Sequence, residues 1–341
     1  MDLLALLFSF CGGGLGAAMG ALVAFVWVGF GALYGIVSGM AGVNFDWLGL
    51  IPFGVYFGPD ISFGSGCCAA AYARKKGYMP AGKDIIKPLI SLGKPDVVLV
   101  GGIWGIIAFL IRYALIKALP GRLDAVAATV FLQALIAKVV YAEEGGLLER
   151  AFGKVPEETR KLGGRFSVFA PQAWLPWQCK ASQMTVLSIV AGGLSAYTTY
   201  LMLQNPATKA VAPFVGFAIG VASFVFMLAG HQIPVFHHIS ICASYAVVQS
   251  GGSLLWGLAG GLIGAFIAEW MSRLFYCYGD CHVDPPGMTI AVTSFLLFTI
   301  VPATGLYADK TITPLIIIAL AVLYSLYQEA AIRKRESQVS P

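Results

Sequence analysis

Apolar residues fill long stretches of the chain, and charged residues fall almost entirely between them. Residues 3–42 carry no charge at all. A single helix of that length would run about 60 Å, twice the hydrocarbon core of a bilayer. The stretch therefore reads either as two tightly joined spans or as one long span, 14–42, preceded by an apolar extension. Further apolar segments follow at 47–73, 97–117, 124–141, 186–203, 211–229, 231–250, 254–275, 286–304 and 312–328. Most come close to the roughly 20 residues that cross a bilayer. The pattern predicts an all-α integral membrane protein of about ten transmembrane helices.

Two of these segments are interrupted by proline, which removes a backbone donor and clashes with the preceding helical turn. One runs from Ile51-Pro52 through Pro59-Asp60-Ile61-Ser62, the other from His231 through Ile233-Pro234 to His237-His238-Ile239-Ser240. Aligning Ile61-Ser62 with Ile239-Ser240 sets Asp60 on His238. Ile51-Pro52 then falls on Ile233-Pro234 if about one helical turn is dropped. Other pairs occur in the same order: Gly31 and Gly35 with Gly216 and Gly220, Gly101-Gly102 and Gly105 with Gly260-Gly261 and Gly264, and Leu123-Asp124 and Thr129 with Val283-Asp284 and Thr289. These matches predict two five-helix repeats, each with a Pro-broken second helix. The expected division is 1–142 for four spans of the first repeat with its apolar extension, and 143–182 for an amphipathic cytoplasmic linker. Residues 183–204 form the fifth span, 205–329 the second repeat and 330–341 a basic tail.

Charge supports the repeats. With loop 74–94 in the cytoplasm, that loop, 143–180, 273–283 and the tail carry 6, 6, 1 and 3 basic residues, 16 in all, against 5 in the outer loops. That asymmetry is the one found in inner and plasma membranes, and it predicts a multi-pass cell (inner) membrane protein with both termini cytoplasmic. Five spans is an odd number, so the second repeat must be inverted.

Composition excludes other classes. The chain is 58% hydrophobic and 11% charged, whereas soluble domains carry about 25% charged residues. The net charge of +5 is then topological and no sign of a nucleic-acid partner. Seven scattered cysteines do not read as a disulfide framework. Met1-Asp2-Leu3-Leu4 lacks the basic region of a cleaved signal peptide. No Gly-x-x-x-x-Gly-Lys-Ser/Thr loop is present, which argues against a self-contained ATP-driven pump.

Inverted repeats with broken helices in matching positions are a design of secondary transporters, whose sites lie where half-helix ends meet near the midplane. The expected substrate-binding residues are accordingly Asp60, Ser62 and Ser65 from the first break and His237, His238 and Ser240 from the second. Helix starts suit polar oxygens or anions, Asp60 is placed to cap its own half-helix, and histidine changes charge near neutral pH. An Asp facing a His would couple proton movement to solute movement. Glu269 and Arg273 read as an i,i+4 ion pair, and Lys138 as a side chain reaching for the interface. Cys277, Cys281 and His282 are not spaced as a zinc site, so neither metal nor cofactor is expected. Asp284-Pro-Pro-Gly-Met-Thr289 resembles the motif of the HPP family of small membrane proteins, with Asp284 in place of that motif's leading His; it implies no function here. Gly12, Gly16 and Gly20, like Gly31, Gly35 and Gly39, share helix faces where backbones can approach closely, within the chain or in a homo-oligomer. The expected function is a secondary transporter for a small polar or anionic solute, proton coupling included. A symmetric channel or facilitator for a neutral solute or ion comes second, and a membrane-embedded enzyme third.

Overall fold

The computed structural model describes residues 2–339, so Met1 and the last two residues of the tail lie outside the described residues. Among the described residues there are helices and no strands. The long helices are α1 (Leu3–Met19), α2 (Ala21–Met40), α3 (59–75), α4 (Pro95–Ala118), α5 (Ala125–Tyr141), α6 (Ala181–Leu203), α7 (Ala212–Leu228), α8 (His237–Gln249), α9 (Leu254–Tyr276), α10 (Pro285–Thr304) and α11 (Ile312–Val339). Six of them, α2, α4, α6, α9, α10 and α11, are long and apolar enough to cross a membrane. Large apolar side chains such as Val186, Leu194, Leu320 and Leu323 point outward, as lipid requires. This is an all-α membrane protein.

The uncharged stretch 3–42 is two helices. Gly20 sits at φ +91°, a conformation that a side chain resists, and a Cβ there would come within 2.7 Å of the Ile86 carbonyl oxygen. The chain reverses at this point. Along the start of α3, Ile61 and Ser62 meet Gly12 and Gly16 of α1, while Phe63 and then Gly66 meet Phe25 and then Ala21 of α2. One helix thus runs with α3 and the other against it. Of the two readings of 3–42, the structure takes the two joined helices, as a helical hairpin, rather than one long span over 14–42.

The glycine faces are used inside the chain. Gly13 packs against Gly101 and Gly105 of α4, and Gly29 against Ala222 of α7. Gly12 and Gly16 meet the backbone of Val55 and Ser62, Gly35 meets Leu48, and only Gly39 of the two trios has open space around it. Most of these glycines therefore serve close packing within the chain.

Both proline breaks are present. The chain turns through 51–58, and α3 restarts at Pro59 with a π-wound stretch, Pro59–Gly64. Proline is suited to a first turn, where its missing N–H would have no partner. The second break is irregular over 231–236 before α8 begins at His237. Trp177 Nε1 donates to the Ile233 carbonyl, and Gln178 exchanges two hydrogen bonds of 2.8 Å with the Val235 backbone. The 142–180 segment thus pins this break.

Loop contacts define two faces of the bundle. On one, Arg74 pairs with Asp280 at 2.8 Å, Lys83 donates to the Cys277 carbonyl, Arg165 to the Leu274 carbonyl, and the Ala181 N–H to Gln328 near the end of α11. This is the basic face. On the other, Thr299 donates to the Arg122 carbonyl, Trp256 to the Asp309 carbonyl and Arg112 to the Phe53 carbonyl. Ser9, Gly13 and Ala17 of α1 meet Gly105, then Gly101 to Gly105, then Gly101 of α4, so α1 runs antiparallel to α4 and begins at this second face. The first helix starts and the last helix ends on opposite faces.

Helix neighbours fall into two matching sets. In the first, α1 packs on α3 and α4, α3 on α2, α4 and α5, and α4 on α5. In the second, α6 packs on α8 and α9, α8 on α7, α9 and α10, and α9 on α10. The sets join through α2 against α7 and α5 against α10, while α11 lies outside against α6 and α9.

Candidate ligand cavity

A cavity of about 310 Å³ lies where the two sets of helices meet. Phe25 of α2, Pro59 and Phe63 of α3, Asp124, Val126, Ala127 and Val130 at the start of α5, and Phe53 line one side. Phe214 and Phe217 of α7, His237, Ile241 and Tyr245 of α8, and Asp284, Pro286, Gly287 and Ile290 at the start of α10 line the other. No lysine or arginine is among them.

The two aspartates are placed by the same local rule. Each occupies the N-cap of its helix, where a side-chain oxygen satisfies a free backbone donor. Asp124 Oδ1 accepts from the Ala127 N–H at 2.9 Å, and Asp284 Oδ2 from the Gly287 N–H at 2.7 Å. The second oxygens are also held: Tyr245 OH donates to Asp124 Oδ2 at 2.7 Å, and His282 Nε2 lies 3.2 Å from Asp284 Oδ1. His237 is differently placed. It is 1% exposed, wedged edge-on against Phe25, Phe217 and Phe224 with ring centroids 5.2–5.8 Å away. Neither ring nitrogen has a hydrogen-bond partner among the described residues. Buried polar groups normally find one, so this imidazole is a polar group waiting at a cavity wall.

Of the six residues expected from the sequence, only His237 lines this cavity. Asp60 is fully buried but faces α4, with Oδ1 3.2 Å from Arg112 Nη1 and its own carbonyl accepting from Gln133 Nε2 at 2.7 Å. It does not cap α3, whose N-cap is Gly58. Ser62 turns back onto the Phe57 carbonyl at 2.9 Å. Ser65 and Ser240 are buried with unpartnered hydroxyls. His238 packs on Trp174, centroids 5.9 Å apart, in a narrow crevice shared with Glu269. Asp60 and His238 thus turn toward different helices, α4 and α9, and no hydrogen bond among the described residues joins them.

A family model described as "Family of unknown function (DUF7973)" matches residues 1–316. The chain belongs to this family. The DUF7973 match contains α1 to α10 whole, every cavity-lining residue, and only the first residues of α11. No curated protein and no solved structure matches the chain.

Other polar groups of the DUF7973 chain serve the scaffold. Glu269 and Arg273 form the i,i+4 ion pair expected, at 2.6 Å and buried. Lys138 does not reach for the interface: it is buried and donates to the Phe275 carbonyl. In the loop before α10, burial pushes the Cys277 thiol up to about 11 and the Cys281 thiol up to about 12. Burial thus disfavours their thiolate forms, and no cluster of three or more metal-binding side chains occurs among the described residues.

The cavity aspartates were visible in the sequence as a repeat match, Leu123-Asp124 with Val283-Asp284, but not as a site. Capping is a common task for Asp, and only the packing of α5 on α10 turns the two caps toward one space. Tyr245 and the five phenylalanines carried no sequence signal distinct from ordinary apolar helix faces.

Proposed function

We propose that the protein is a secondary transporter for a small polar solute, with its binding site in the central cavity between two inverted repeats. The observation that carries this reading is the correspondence of the cavity walls. Asp124, Val126, Ala127 and Val130 answer Asp284, Pro286, Gly287 and Ile290 at one constant offset of 160 positions. Pro59 and Phe63 answer His237 and Ile241 at another, 178. The matching helix neighbours support the same pairing, α1 to α5 with α6 to α10. On this reading Ala181–Leu203 opens the second repeat rather than closing the first, and α11 is an appendage. A site shared by two such halves, reached from one face and then the other, is the alternating-access arrangement. Two carboxylates and no lysine or arginine on the wall disfavour the anionic solutes that the sequence left open.

The same reading gives eleven crossings, with the start of α1 and the end of α11 on opposite sides of the membrane and the basic face cytoplasmic. Single cysteines placed by Asp2→Cys and Ser337→Cys, in a background with Cys11, Cys179 and Cys277 replaced by serine, test it. An impermeant maleimide should label the first from outside intact cells and the second only after lysis. Labelling of both from one side would remove the inverted arrangement.

Function is tested in proteoliposomes with labelled solutes of each charge class. A transporter should show saturable uptake of one class, accelerated by unlabelled solute inside. Flux linear in concentration marks a channel, and product formed in detergent marks an enzyme. His237 has no hydrogen-bond partner among the described residues, so His237→Gln, which keeps a polar side chain at the cavity wall, should change the half-saturating solute concentration while leaving the melting temperature near wild type.

A further inference from the structure

We propose that the cavity takes a small protonated amine with an apolar body. The inference rests on the cavity reading above and narrows its substrate class. Asp124 and Asp284 bring two carboxylates to the walls of one cavity. Arg112, which donates to the carbonyl of the wall residue Phe53 at 3.1 Å, is committed to Asp60 Oδ1 at 3.2 Å. Each carboxylate oxygen has one partner, a backbone N–H or a side chain, and an ionised carboxylate offers about four lone-pair sites. Acceptor capacity therefore remains for a donor from the cavity.

An anion has no equivalent place. The helix starts of α5 and α10, which would attract one, are already filled by their own aspartates. Much of the remaining wall is aromatic. Phe25 and Phe63 lie with centroids 4.8 Å apart, and Phe53 packs on Phe214 at 5.3 Å. Phenyl faces attract cations and bury an apolar body. His237 adds the deciding detail. A neutral imidazole presents one acceptor nitrogen, and both of its nitrogens lack a partner at 1% exposure. A primary ammonium has N–H donors to share between a carboxylate and this nitrogen; a quaternary ammonium has none.

Calorimetry on the full-length protein in nanodiscs tests this with three probes of one shape: 2-phenylethylamine, 2-phenylethanol and 3-phenylpropionate. The amine should bind at least about ten-fold more tightly than either of the others. Asp124→Asn and Asp284→Asn keep a good helix cap, so their melting temperatures should stay near wild type while amine affinity falls about ten-fold or more. His237→Phe should weaken the primary amine and spare its N-trimethylated analogue. Tighter binding of the alcohol or the carboxylate, binding of none of the probes, or wild-type amine affinity in both Asn variants would overturn the inference. Amine binding without uptake into proteoliposomes supports it while removing the transporter reading. Saturable uptake of 3-phenylpropionate does the reverse.

Discussion

Replacing Arg112 by alanine should destabilise the protein by about 3–5 kcal/mol, the usual cost of leaving one member of a buried ion pair alone. Asp60 has no exposed side-chain surface, and the Arg112 side chain is 14% exposed, so solvent can take up little of the lost interaction. Asp60 Oδ2 already lacks a partner, and removing Arg112 leaves both oxygens bare. The loss also reaches the cavity. Arg112 donates to the carbonyl of Phe53, and the Phe53 ring packs on Phe214 and Phe217 in the cavity wall. The variant should therefore both unfold earlier and bind cavity ligands more weakly. Arg112→Ala combined with Asp60→Asn should regain much of the stability, because a neutral amide is far less costly to bury than a bare carboxylate. It should not regain ligand affinity, because the Phe53 carbonyl stays unheld. Thermal unfolding of the single and double variants in one detergent checks this; equal stability of wild type and Arg112→Ala would show that the pair does not hold α3 to α4.

Arg112 also shows why the fold was easier to read than the site. Hydrophobic runs mark helices wherever lipid is the solvent, and the proline breaks before Pro59 and His237 appear where the residues place them. The helix neighbours fall into two matching sets, and the proposed repeats rest on that pairing. Boundaries were less legible: Gly20 reads as one of three glycines on a face, and only its positive φ makes it a hairpin turn. The grouping of helices also depended on partners that sequence order hides, since α6 packs as α1 does although it follows the long 142–180 segment. The site was least legible. Asp60 stood out as an ionisable residue in an apolar segment, yet a buried carboxylate can serve an arginine on the next helix as readily as a solute. His237 and His238 are adjacent in sequence, and on a helix adjacent residues point about 100° apart. One faces the cavity, the other a crevice beside Glu269, and nothing local decides which.

Gly13→Val should cost about 3 kcal/mol, the upper range for forcing extra volume into a packed interior. A Cβ at Gly13 would fall on the Gly101 carbonyl oxygen and within 2.8 Å of the Gly105 Cα. Both obstacles are backbone, so no side chain can rotate away, and α1 and α4 must separate. Gly14, one residue along, is the control. Its Cβ would come no closer than 3.5 Å to the Val98 carbonyl oxygen, an ordinary contact, and alanine favours helix over glycine. Gly14→Ala should therefore melt at or above the wild-type temperature. Separation of α1 from α4 has a second consequence, because α4 carries Arg112 and hence the anchor of Asp60 and Phe53. Gly13→Val should lower ligand affinity even under conditions where it remains folded, whereas Gly14→Ala should leave affinity unchanged. Melting temperatures and amine titrations of the two variants, purified in the same detergent, separate these effects. If both variants behave alike, α1 and α4 do not meet along this glycine face, and the scaffold that positions the first half of the cavity must be drawn differently.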